Sequence, residues 1–379
     1  MNNQVFDIVK INEMHPVLLT DSRSLTDPTG TLFFALKTGH NDGHRYVREL
    51  YEKGVSSFVV QDSFAGTEQM PNAIFYKVED TLLALQQLAS YRRKKFDIPV
   101  IGITGSNGKT IVKEWLYQLL HDLFTIVRSP RSYNSQIGAP LSVWQLNKQT
   151  NLGIFEAGIS LPDEMSRLEP IIRPTIGIFT TLGEAHQENF FSREEKCMEK
   201  LQLFEHSNTI IYNEDQVLVK YCIEQKGWIN KSFSWSLKNK EANLFISKID
   251  KNIDHTNIEY RTKGGKGEIE IPFTDEASIE DAIHCLALIL HLSLQTEEVF
   301  KRFEKLDPVA MRLDVSKGIH NNTLINDTYN SDINSLAIAL DFMSRRSAET
   351  KQKRVLILSD ILQSGMVPVS FYRKVAELV

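Results

Sequence analysis

The run IPVIGITGSNGKTIVKEWLYQLLHDL, residues 98–123, constrains the fold of this chain more than any other stretch. An apolar strand of the buried type leads into a glycine-rich turn. The turn leads into an amphipathic helix whose apolar face carries Ile111, Val112, Trp115, Leu116, Leu119 and Leu120. Strand, glycine loop, GKT and helix, in that order, are the context a phosphate loop requires. The backbone N–H groups of Gly105, Ser106, Asn107, Gly108 and Lys109 then converge on phosphate oxygens. Glycines are needed because side chains block that approach and some positions take positive φ. Lys109 is the expected counter-charge for the β and γ phosphates, and the Thr110 hydroxyl the expected magnesium ligand. The strict pattern places a glycine five residues before the GK glycine. Here that position is Ile103, so the match is to the variant TGSNGKT. A plain helix-capping turn is the alternative; the ordered strand, GKT and helix favour phosphate.

The flanking sequence supports an α/β chain. From 98 to about 305 strand-like runs (NLGIFEAG, TIGIFTTLG, NTIIYN) alternate with helical segments, which argues for a parallel sheet covered by helices. Residues 231–273 change to short alternating runs with GGKG, read as antiparallel strands at the sheet edge, and a helix follows at 276–291. Residues 1–97 read as a small α/β domain with strands at 31–36, 56–60 and 73–78 and helices at 44–54 and 80–95. The RRKK end of the second helix reads as a solvated C-terminus, and Pro99 marks a boundary. From about 308 a further unit begins: TLINDTY as a strand, SLAIALDFMSRR as a helix, RVLILSD as a strand, SFYRKVAELV as a helix.

Composition excludes several classes. With 42% hydrophobic and 24% charged residues among 379, the chain has the apolar material for several cores. A net charge of −5 gives no electrostatic footprint for nucleic acid. Cys197, Cys222 and Cys285 lie far apart and form no zinc motif. Together with an N-terminus too charged for a signal peptide, they point to the cytoplasm.

A second acidic ligand for magnesium is expected at the end of a neighbouring strand. Glu156, at the C-terminal end of NLGIFE, fits, and is favoured over a charge at a helix start. The strand TIGIFTTLG is followed by Glu184 and His186 on the same predicted edge. Lys196 and Lys200, in SREEKCMEKLQLF, read on their own as exposed helix lysines paired with Glu195 and Glu199.

Taken together, TGSNGKT, YNSQIGAPLS at 133–142, EAG at 156–158, TTLGEAHQENF at 180–190 and EKLQLF at 199–204 resemble the Mur ligases, the ATP-dependent amide-forming enzymes of peptidoglycan synthesis. Both flanks match too: DSR and DGH within 21–44, then AMRLDV at 310–315 and NDTYNSDINSL at 326–336. The last motif resembles the D-alanyl-D-alanine-adding, MurF-type branch. The resemblance implies a three-domain architecture: residues 1–97 binding the UDP-substrate, 98–307 the P-loop ATPase, and 308–379 the first part of a C-terminal Rossmann-like, amine-binding domain. It implies ATP and Mg2+ as cofactors. Lys109 and Thr110 serve phosphate and magnesium, Glu156 and His186 ligate magnesium, and Lys200 matches a lysine that is carbamylated in the family. Asn134 matches a residue near the substrate, Arg312 and Asp327 residues that reach the nucleotide, and Ser22 and Arg23 contacts to the UDP part. Asp281 stands on the adenine side.

Three departures accompany the match. Thr181 stands where the family usually has asparagine, Ser278 and Asp281 stand in place of an HN-x-x-N helix, and Asp332 stands where asparagine is frequent. The implied reaction joins D-alanyl-D-alanine to UDP-N-acetylmuramoyl-tripeptide through an acyl phosphate. The rivals are another Mur ligase or a folylpolyglutamate synthase-like ligase, a P-loop kinase, and a non-catalytic binding protein of this fold. The C-terminal unit reads as truncated, so this piece is expected to bind substrate and nucleotide but to ligate little alone. A fused alanine racemase beyond residue 379 is a further expectation drawn from the resemblance.

Overall fold

A computed structural model describes residues 3–39, 41–183, 186–309, 314–319, 322–328, 333–350, 353–361 and 368–379. Arg312, Glu184 and Asp332 lie outside them.

Five parallel strands form the first sheet: β1 (Asn3–Gln4), β2 (Val17–Leu19), β3 (Thr31–Phe34), β4 (Ser57–Gln61) and β5 (Ile74–Val78), in the order β1-β5-β4-β3-β2. Its inner strands read TLFF and SFVV because both faces are covered: every residue of β3 is buried. The helix Thr81–Arg93 starts where Asp80 accepts from the Leu82 and Leu83 amides at 2.8 and 3.0 Å.

The second sheet has nine strands: β6 (Val100–Thr104), β7 (Ile126–Arg128), β8 (Leu152–Glu156), β9 (Ile176–Phe179), β10 (Thr209–Asn213), β11 (Ser232–Ser236), β12 (Leu244–Lys251), β13 (Thr256–Thr262) and β14 (Gly265–Ile271). Their order is β14-β13-β12-β11-β10-β9-β6-β8-β7. The parallel stretch runs from β7 to β12, further than 231–273 suggested, since β11 pairs parallel with both β10 and β12. The antiparallel pairs in this sheet are β12 with β13 and β13 with β14. One edge strand, β7, is three residues long; the other, β14, reads GKGEIEI.

Helices cover both faces. Lys109–Leu120, Glu276–His291 and Glu297–Phe303 pack on one, where Val112, Trp115, Leu116, Leu119 and Leu120 are buried. Each such side chain stabilises the fold by about 1.5–3 kcal/mol. Gly138–Val143, Met165–Ile172, Arg193–Leu201 and Val217–Gln225 cover the other face.

The RRKK end is solvated at Lys94 and Lys95 but not at its two arginines. Arg93 is buried, and its guanidinium donates to the carbonyls of Ile172 (2.9 Å), Arg173 (3.0 Å) and Phe96 (2.6 Å). It thus satisfies the C-terminal carbonyls of the helix Met165–Ile172, which have no intrahelical donor. Arg92 lies 4.5 Å over the Trp144 ring and donates to the Leu146 carbonyl at 2.6 Å. Trp144 in turn donates to the Pro16 carbonyl at 3.1 Å, which ties the first sheet's unit to the second.

The C-terminal unit differs from expectation. Thr323–Asn326 (β16) pairs antiparallel with Asp314–Lys317 (β15), and RVLILSD forms no strand. Val355 and Ile357 are exposed, and without a sheet beside them β-branched residues have no ladder to join. The helices Ile333–Thr350 and Pro368–Leu378 do form and share a small core through Leu336, Leu340, Phe371 and Val375. The three cysteines are free and buried. Among the described residues no helix is long and apolar enough to cross a membrane.

Candidate active site

The loop 105–108 leaves β6 at the C-terminal edge of the parallel strands, next to the ends of β8 and β9. Two glycines adopt conformations that disfavour side chains: φ is +146° at Gly105 and +84° at Gly108. Space forbids them as well. A Cβ at Gly105 would stand 2.0 Å from Thr180 Oγ1, and one at Gly108 would stand 2.2 Å from Asp281 Oδ1. The loop is stapled to the end of β9: Thr180 Oγ1 donates to the Asn107 carbonyl at 2.5 Å, and the Ser106 amide to the Thr181 carbonyl at 2.6 Å. Gly108 starts the helix Lys109–Leu120 with no side-chain cap, so first-turn amides face outward for an anion.

The Lys109 side chain folds back over the loop and donates to the carbonyls of Gly105 and Ser106, both at 2.9 Å. Lys200 Nζ reaches the same Gly105 carbonyl at 3.1 Å. Lys196 and Lys200 are therefore not exposed helix lysines; both are buried, and Lys196 donates to the Gly183 carbonyl at 2.6 Å. Glu199 is buried as well and accepts from the Met165 amide rather than from a lysine. Burial pushes the Lys200 amine well below the ordinary lysine range, reinforced by the neighbouring Lys109 and Lys196 charges.

Glu156 ends β8 fully buried. Its Oε2 accepts from Thr110 Oγ1 at 3.1 Å and from Asn134 Nδ2 at 3.4 Å. A carboxylate and a hydroxyl side by side are hard oxygen donors of the kind magnesium takes. Magnesium next to a nucleotide needs only one or two protein carboxylates, with phosphates and water completing its shell. Among the described residues no group of three or more His, Cys, Asp or Glu side chains suited to a metal converges.

A cleft of about 560 Å³ joins these parts. Gly105 through Thr110, Asn134, His186 and Lys200 line it, together with Gln136, Glu164 and, from the first unit, Leu82. Leu82 brings the first unit into the lining, and Gln86 from the same helix donates to Gln136 Oε1 at 2.9 Å, so both units build the cleft. Asp281 packs under Gly108 from the helix Glu276–His291, which places it at the loop. Ser22, Arg23 and Asp327 do not line the cleft; Arg23 is exposed and paired with Asp21 at 2.7 Å. Arg312 lies outside the described residues.

One buried charge here was not singled out from the sequence. Lys113 is fully buried and pairs with Glu156 Oε1 at 3.0 Å. The signal was its position: four residues after Lys109, it falls on the helix face otherwise made of Val112, Leu116 and Leu120.

A phosphate-type loop on a parallel sheet, with a buried carboxylate and a buried lysine at the same edge, defines a P-loop nucleotide-dependent enzyme core. Residues 103–289 match the Mur ligase middle domain, and the chain is similar to Mur ligases over most of its length. It is 27% identical over 363 residues to UDP-N-acetylmuramoyl-tripeptide--D-alanyl-D-alanine ligase of Bacillus subtilis (strain 168), covering 95% of this chain and 76% of that protein. Its fold matches a crystal structure of MurF from Acinetobacter baumannii with a TM-score of 0.83 at 23% identity, covering 98% of this chain and 81% of that one. It also matches MurF ligase from Thermotoga maritima in complex with ADP, with a TM-score of 0.73 at 20% identity over 88% of this chain and 75% of that one.

Proposed function

We propose that the chain is the ATP-dependent ligase that adds D-alanyl-D-alanine to UDP-N-acetylmuramoyl-tripeptide in peptidoglycan precursor synthesis. The observation that carries this reading is the shared cleft, where the loop amides, Lys109, Glu156 and Lys200 meet beside a wall built by both units. The TGSNGKT loop holds the ATP phosphates. A carboxylate oxygen of the tripeptide attacks the γ-phosphorus, and ADP leaves. The amine of D-alanyl-D-alanine then attacks the acyl carbon, loses a proton, and phosphate departs as the amide forms. Lys109 neutralises charge on the transferring group, and the cleft walls hold the two ends in line.

Thr110, Glu156 and His186 are the residues that would hold Mg2+, which when bound would neutralise phosphate charge. Lys200 is the residue suited to carbamylation: its depressed basicity leaves a free amine pair for carbon dioxide, and the product is an oxygen ligand. Residues 1–97 serve the UDP-substrate, with Ser22 and Arg23 as contacts, 98–307 serve the nucleotide, and 308–379 serve the incoming amine. Asn134, next to Glu156, would serve the tripeptide end; Asp281 supports the phosphate loop, and Arg312 and Asp327 would serve the nucleotide.

Supplying the purified protein with ATP, magnesium, the UDP-tripeptide and D-alanyl-D-alanine tests the reading. ADP release that needs the UDP-tripeptide is expected. No ADP with both substrates present, or ADP release that is indifferent to the UDP-tripeptide, would sink it. A phosphorylated final product would indicate a kinase instead.

A further inference from the structure

Lys113 is tied to several parts of the site at once. Its ammonium has four oxygen neighbours: Glu156 Oε1 at 3.0 Å, Glu114 Oε1 at 2.9 Å, the Ser129 carbonyl at 2.8 Å, and the Arg131 carbonyl. None of its side chain reaches solvent. An isolated buried ammonium is costly, and so is an isolated buried carboxylate; each is tolerated here because the other is present.

The contacts have a direction. Lys113 occupies one oxygen of Glu156, which leaves Oε2 turned toward Thr110 and Asn134 at the cleft. The same ammonium holds the segment after β7. There Arg131 takes a left-handed backbone, φ +50°, which a non-glycine residue keeps only when its surroundings fix it. Directly after it, Ser132 Oγ meets Thr110 Oγ1 at 3.0 Å, and the Asn134 carbonyl accepts from the Gly158 amide at 2.9 Å. Ser129 completes the tie by accepting the Glu156 amide at its hydroxyl, 3.2 Å away.

We infer that Lys113 is the positioning residue of the cation site: it orients Glu156 with one oxygen free for a divalent ion and fixes the 129–134 segment that surrounds that oxygen. It acts through Glu156 and touches no substrate. The inference rests on the nucleotide-and-magnesium reading above.

The test is Mn2+ binding to the full chain with ADP present, followed by the electron paramagnetic resonance signal of free Mn2+. Lys113→Met, checked for native near-ultraviolet circular dichroism, is expected to weaken Mn2+ binding roughly tenfold or more, the range seen when partners of metal ligands are removed. Lys113→Arg keeps the charge but not the compact four-oxygen geometry, and is expected to fall between. A purely structural lysine would lower the unfolding temperature and leave Mn2+ affinity of the folded protein unchanged; that result overturns the inference. If Lys113→Met does not fold, Lys113→Arg decides alone: weakened Mn2+ binding supports the inference, and unchanged affinity overturns it. A wild-type protein that binds no Mn2+ with ADP removes the magnesium reading itself, a different outcome from equal binding by wild type and variant.

Discussion

Lys109 and Lys200 donate to one acceptor, the carbonyl oxygen of Gly105, at 2.9 and 3.1 Å. Two ammonium groups sharing an oxygen repel each other, and the buried one yields its proton more readily. The pair marks where negative charge belongs. A phosphate drawing Lys109 outward, or an anionic group built on Lys200, relieves the same repulsion.

Lys109→Ala is expected to reduce ADP release at least about 100-fold, the scale of losing one charge-stabilising donor at a reacting centre. The loss should sit in kcat more than in KM for the UDP-tripeptide, if that substrate is held by residues other than Lys109. Steady-state ADP release against each substrate separates the two.

Stripping carbon dioxide from the buffer is expected to lower ADP release several-fold, with recovery on adding bicarbonate. Lys200→Ala should be low throughout and blind to bicarbonate. Equal wild-type rates in stripped and supplemented buffer would show that Lys200 works unmodified.

Gly108→Ala should lose about 1–3 kcal/mol of stability and most nucleotide affinity, since the new Cβ meets Asp281 Oδ1 and the left-handed backbone disfavours alanine. Adding Asp281→Ala removes the clash but not the backbone penalty, so it should recover part of the stability. Urea unfolding of the single and double variants measures both parts.

Acid should weaken the fold through His284. It is fully buried, accepts from Trp235 Nε1 at 3.1 Å, and burial holds its imidazole down at about 3. The unfolded chain takes up that proton below about 6.5 and the folded one does not. Stability from this group is therefore complete above about 6.5 and declines by about 1.4 kcal/mol per pH unit toward 3. His284→Gln, which can still accept from Trp235, should flatten that part of the profile in thermal unfolding from pH 4 to pH 7.

Arg93→Met should cost about 3 kcal/mol by leaving the carbonyls of Ile172, Arg173 and Phe96 without their charged donor. Nucleotide affinity should hold, because Arg93 is not part of the cleft wall. Chemical denaturation and ADP titration on the same variant check the two halves.

What was legible in the sequence is what local pattern dictates. TGSNGKT announced its loop because glycine at tight spacing has few other uses, and Glu156 announced itself as an acid ending an apolar strand. What failed were charges judged by neighbours in sequence. Lys196 and Lys200 sit among Glu194, Glu195 and Glu199, which looks like a solvated helix; burial comes from the loop and sheet edge lying across it, 95 residues away in the case of Gly105. Arg93 hides for the same reason, since two of its three carbonyl partners follow it by 79 and 80 residues. RVLILSD carries strand propensity, but a strand exists only beside another, and no ladder forms there.

The two borders of the large sheet have a consequence for the protein in crowded solution. An unpaired strand offers backbone donors and acceptors to any other extended chain. Here β7 is too short to template more than a few bonds, and β14 alternates Lys266, Glu268 and Glu270 with its two inward isoleucines. A strand docking on β14 would meet charges at every second position. The enzyme can thus keep a wide, open sheet, with its reactive edge uncovered, without inviting growth from its sides.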